Sequence, residues 1–107
     1  MTDQLGPFGA IWEAWDEAHD EIVGKPLSHF QRAVEVQFEE LDAHLAAGDR
    51  AAAAREAVDI ISIALNSLRW LGYQPEDVGE IACSRAEQRM RGQALAILDK
   101  YQRLHGI

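Results

Sequence analysis

Between Asp49 and Gly72 the sequence reads DRAAAAREAVDIISIALNSLRWLG, a run without internal Gly or Pro that is apolar on nearly every side of a helix. Asp49 is suited to cap its start and Gly72 to end it. A helix that is apolar all round must be covered on several faces. This segment is therefore expected at the centre of the fold, packed on both sequence neighbours and completed by dimerisation.

The rest of the chain obeys the same period. A first helix is expected over about 8–23, with Trp12, Trp15, His19 and Ile22 at steps of three and four, stopped by Gly24 and Pro26. A second runs from Ser28 as N-cap to Ala47, with Phe30, Val34, Phe38, Leu41 and Leu45 on one face and Gly48 at its end. A fourth starts near QPEDV, with Pro75 and acids in its first turn, and runs through Ile81 and on to Leu95, Leu98, Tyr101 and Leu104, kinked at Gly92. No alternating β-branched run suggests a strand. The reading is all-α: one domain over 1–107, a compact bundle of about four helices.

Only the connection at Gly48 separates the second helix from the third, so the two are antiparallel, and composition bounds what they can bind. A net charge of −8 opposes nucleic acid and anionic membranes, and no stretch approaches the roughly 20 apolar residues of a membrane span. The single Cys83 has no internal disulfide partner, and the N-terminal segment lacks the pattern of a secretory signal, which points to the cytoplasm. Cys83 has no activating His beside it in sequence and is expected as a packed core residue. His29 and His44 have no partner at zinc-ligand spacing, and no glycine-rich phosphate loop is present.

What stands out is acid inside the apolar third helix. Glu56 and Asp59 are three residues apart and project from adjacent turns of one face. Asn66 lies seven beyond Asp59, close to two turns, and extends the polar stripe. An unpaired charge among Val58, Ile60 and Ile61 is costly to bury, so these carboxylates need partners. The second helix offers two sets: Gln37, Glu40 and His44 flank one side of its apolar face, while Glu35, Glu39 and Asp42 flank the other. Either set, facing Glu56 and Asp59, builds an oxygen cage suited to Mg²⁺ or Mn²⁺, cations that leave positions open for substrate phosphates. The plain alternative is that the acids only solvate a surface.

The run ELDAHLAAGDRAAAAREAVD and the following IISIALNSLRWLGYQPEDV resemble the all-α nucleoside triphosphate pyrophosphohydrolases typified by MazG, over roughly residues 28–85. Their motif is EExxE, a spacer, then ExxD. Glu56 and Asp59 match ExxD and Glu40 matches the third Glu of EExxE, while Val36 and Gln37 stand where the family has its EE pair. A register through Glu35 and Glu39, or through Glu39 with Asp42, instead recovers acids. The resemblance implies Mg²⁺ held by Glu40, Glu56, Asp59 and Gln37, with Glu39 or Glu35 as the base. It also implies hydrolysis of a nucleoside triphosphate to a monophosphate and pyrophosphate by a homodimer or homotetramer that cleans the nucleotide pool.

Substrate contacts are expected from Asn66, from Arg85 and Arg89, which share a helix face in the basic stretch SRAEQRMRGQ, and from Trp15 stacking on a base. Each has a structural alternative: Arg side chains paired with Glu80 or Glu87, and tryptophans filling a core. The rival function is a non-enzymatic helical interaction module in which the altered EExxE marks a lost metal site.

Overall fold

The computed structural model describes residues 5–107. The expected all-α fold is present, and among the described residues there is no strand and no helix long and apolar enough to cross a membrane. The helices are α1 (Phe8–Ala14), α2 (His19–Val23), α3 (Leu27–Ala46), α4 (Arg50–Trp70), α5 (Pro75–Arg85) and α6 (Ala94–His105).

The α3–α4 hairpin is the frame. Its turn is built by local chemistry: Gly48 takes φ +76°, its N–H donates to the Leu45 carbonyl at 3.0 Å and the Asp49 N–H to that of His44 at 2.9 Å, which satisfies the last carbonyls of α3. Asp49 then caps α4, its Oδ1 accepting from the Ala52 N–H at 3.0 Å. Replacing Asp49 by Ala is expected to cost about 1 kcal/mol in urea unfolding. No change in the unfolding midpoint would mean that packing alone holds this end of α4.

α4 ends as it should, with Gly72 at φ +96° and the Tyr73 N–H donating to the Leu68 carbonyl at 3.1 Å. It is the central helix, in contact with α1, α2 and α3. Leu65 meets Leu5, Trp12 and Val78 in the core, with Ile11 and Leu68 packed against them.

Four sequence expectations change in detail. The first helix is not continuous over 8–23: α1 stops at Ala14, a 3₁₀ turn spans Asp16–Ala18, and α2 restarts at His19. Trp12 is consequently buried in the core while Trp15 is 40% exposed, so the two part company. The N-cap of α3 is Pro26 in extended backbone, not Ser28, because the ring fixes φ for the entry to the helix. The kink expected at Gly92 is a complete break. α5 ends at Arg85, a wider π-type turn spans Ala86–Met90, and Gly92 takes φ +76° before α6 begins. Cys83, expected in the core, is exposed.

One buried charge locks the N-terminal segment onto α4. Arg69 is only 5% exposed, and its Nη2 donates to the Trp12 carbonyl at 2.7 Å and pairs with Asp16 at 2.9 Å. Its Nη1 lies 3.2 Å from His19 Nδ1, and the guanidinium sits 4.5 Å from the centroid of the Trp12 ring. A second tie comes from Trp70, whose Nε1 donates to the Lys25 carbonyl at 2.6 Å while its ring packs near Phe30.

Candidate functional site

Packing decides which side of α3 faces the acids of α4. Phe30 meets Trp70 at one end of the hairpin and His44 meets Glu56 at the other, with His44 Nε2 3.4 Å from Glu56 Oε1. A straight line between those two contacts runs through Gln37 and Glu40, so the set Gln37, Glu40 and His44 lies against α4. Glu35 and Glu39 point elsewhere. Both accept from Arg32 Nη1, at 3.1 and 3.0 Å, on the exposed side of α3. The structure thus does not bring the two residues expected as base to Glu56 and Asp59.

The acids that do meet are Glu40 and Glu56. A hydrogen bond to Glu56, together with its charge, holds the Glu40 carboxyl above the usual carboxylate range; desolvation and the more distant Asp59 act in the same direction, and His44 opposes them. Two carboxyls in contact share a proton when no cation separates them. Deeper in the interface two oxygens are buried without any hydrogen-bond partner, Oε2 of Glu56 and Oε1 of Gln37. An orphaned buried acceptor is costly and calls for a donor or a cation.

The folded chain holds the Glu40 proton more tightly than the unfolded chain does. That contribution to stability is present in acid and is lost as pH rises from the ordinary value of 4.5 through the raised folded value. Glu40→Gln is expected to flatten this part of the stability profile and to raise the melting temperature at pH 7. An unaltered profile in calorimetry would show that the two carboxyls do not interact.

Beside the acids lies a cavity of about 390 Å³ lined on the α1–α2 side by Trp15 and Ile22, on α3 by His29, Phe30, Ala33 and Gln37, and on α4 by Asp59, Ser62, Ile63 and Asn66. Its chemistry is mixed: an exposed indole face, an aliphatic floor, and the polar ends of Gln37, Asp59, Ser62 and Asn66. Ser62 and Asn66 are each only 8% exposed. A shallower groove continues past His29, Ala33 and Gln37 to Lys25 and Arg32.

Trp15, Gln37, Asp59 and Asn66 therefore gather at one cavity, and Glu40 and Glu56 stand one helical turn from Gln37 and Asp59. Arg85 closes α5 and Arg89 lies in the π-type turn, and neither lines the cavity. The neighbouring Arg91 is held by Glu87, its Nε donating at 2.8 Å. Sequence reasoning passed over Ser62 and His29 as site residues. Ser62 was legible, since Asp59, Ser62 and Asn66 form one stripe at steps of three and four; His29 was not, because only the approach of α1 and α2 makes a wall of it.

Among the described residues no three His, Cys, Asp or Glu side chains converge as a complete ligand group. What converges is a carboxylate pair with one orphaned oxygen, the amide oxygen of Gln37, and Asp59 at the cavity wall. All are hard oxygen donors of the kind Mg²⁺ takes, and it keeps several waters when protein ligands are few. The residues fit such an ion as a partial, open site. Comparison with protein-family models, curated proteins and solved structures finds no match to this chain.

Proposed function

We propose that the protein is a Mg²⁺-dependent nucleoside triphosphate pyrophosphohydrolase that cleaves its substrate to a nucleoside monophosphate and pyrophosphate in the cytoplasm, as a homodimer or homotetramer. The observation that carries this reading is the Glu40–Glu56 pair, with its orphaned oxygen, one helical turn from a cavity walled by Trp15 and Asn66. An acidic pair alone repels a triphosphate. Acids that need a cation, set beside a pocket of nucleobase character, suit one.

Glu40, Glu56 and Asp59, with the Gln37 amide oxygen, would hold the ion. Bound there, Mg²⁺ or Mn²⁺ would neutralise phosphate charge and acidify a coordinated water. Trp15 offers a face for stacking and Asn66 a donor and an acceptor for a base edge. Water adds across the bond between the α and β phosphates, that bond breaks, and pyrophosphate leaves with its electron pair. The proton of the water passes to solvent and not to Glu40, because a cation held by Glu40 and Glu56 would replace the contact that lets Glu40 keep a proton. Glu35 and Glu39 do not receive it either, because Arg32 holds them outside the site.

The test is pyrophosphate release from a panel of unmodified and modified nucleoside triphosphates with Mg²⁺ or Mn²⁺, with Glu56→Gln as control. Release that depends on the metal and on Glu56 supports the reading, and the panel names the base. Silence across the panel from folded protein would overturn it in favour of the second reading, a helical interaction module. That rival is favoured by the incomplete ligand group among the described residues and by Gln37 at a position where an acid would strengthen the site.

A further inference from the structure

The C-terminal helix is an amphipathic element whose apolar side is largely uncovered by the described residues. In α6, Ile97, Leu98, Tyr101 and Leu104 recur at steps of one, three and three and form one apolar stripe, with Asp99 and Arg103 on the opposite side. No residue of α6 is buried; Leu98 is 63% exposed and Leu104 55%. The radius of gyration, 15.7 Å, exceeds the roughly 13 Å expected for a chain of this length. The break at Gly92 is what carries α6 away, while Val78 anchors the start of α5 in the core.

The arm also differs from the body in charge. Residues 85–107 carry Arg85, Arg89, Arg91, Lys100 and Arg103 against Glu87 and Asp99, a net +3, which leaves −11 on residues 1–84 out of the total of −8. The body in turn has an apolar stripe without cover. Val58, Ile61 and Leu65 share one face of α4; Leu65 is buried under Trp12, but Val58 and Ile61 lie beyond the reach of α1 and are 44% and 37% exposed.

We propose that α6 docks on the acidic body of a second copy of this chain, laying Leu98, Tyr101 and Leu104 over Val58 and Ile61 of α4. A basic arm is attracted to a body of opposite charge, and two apolar stripes leave water together. An anionic membrane would attract the arm too, but it would repel the strongly acidic body attached to it. In a twofold pair each arm meets the other body, so the contact is made twice. A stable interface buries roughly 800 Å² per partner, and making the contact twice doubles what one arm buries. The proposal does not depend on the hydrolase reading.

Sedimentation of the full chain over a range of concentration and salt tests it. A dimer is expected that weakens at high NaCl, as screening reduces the attraction between arm and body. Leu98→Glu and Ile61→Glu, both at exposed positions, are each expected to weaken it at least tenfold with helical content intact. In a Cys83→Ala background, chains carrying Leu98→Cys mixed with chains carrying Ile61→Cys should give a mixed dimer with a short bismaleimide. A chain that sediments as a monomer throughout, a dimer unaffected by Leu98→Glu, or absence of the mixed cross-link would overturn the proposal. Binding of the monomer to vesicles of anionic lipid would do so in favour of a membrane surface.

Discussion

Glu56→Gln is expected to lower Mg²⁺-dependent pyrophosphate release by about 100-fold or more while raising, not lowering, the melting temperature. Losing a metal ligand removes several kcal/mol of charge stabilisation from the transition state, and each 1.4 kcal/mol or so is tenfold in rate. The opposite sign for stability follows from the contact with Glu40: a neutral amide ends the repulsion between two carboxyls, and its NH₂ group can donate to Glu40. A purely structural glutamate predicts the reverse pattern, a lower melting temperature with activity changed only in proportion. Parallel assays of pyrophosphate and heat unfolding separate the two. If the variant keeps full activity, Glu56 is not a ligand.

Arg69→Met is expected to destabilise the fold by roughly 2–4 kcal/mol, since it strands the Trp12 carbonyl and leaves incompletely filled space beneath the ring. The ion pair with Asp16 adds little to that figure, because Asp16 is 60% exposed on its side. Arg69→Lys should recover part of the loss, as an ammonium can reach the carbonyl or the carboxylate but not both in the geometry of the fork. Urea unfolding followed by tryptophan fluorescence measures both variants. A loss below about 0.5 kcal/mol for Arg69→Met would show that the N-terminal segment is held by the Trp12–Leu65 packing alone.

The two expectations differ in how visible their residues were. Glu56 announced itself, because a carboxylate among β-branched residues in an alanine-rich helix has few inexpensive explanations. Arg69 did not. It sits near the end of a helix, where cations are common, and nothing in SLRWLG tells a solvated arginine from one that reaches the carbonyl of Trp12, fifty-seven residues earlier. Likewise Trp12 and Trp15 look equivalent by spacing, and the 3₁₀ turn after Ala14 sends one into the core and the other to the cavity wall.

By itself the sequence determined what short-range physics controls. The all-α class, the limits of α4 between Asp49 and Gly72, the hairpin turn at Gly48 and the start of α5 at Pro75 all rest on periodicity, caps and the backbone freedom of glycine, which act within a few residues. The polar stripe of Glu56, Asp59 and Asn66 was legible for the same reason. Only the tertiary structure decided which acids of α3 face that stripe. Glu35 and Glu39 flank the apolar face of α3 as closely as Gln37 and Glu40 do, so helical angle leaves the choice open. The contacts of Phe30 with Trp70 and His44 with Glu56 fix the rotation of α3 and bring Glu40 to the site. The course of the chain beyond Arg85 was likewise beyond local reasoning: a glycine in a helical pattern can bend a helix or break it, and which occurs depends on what the following segment finds to pack against.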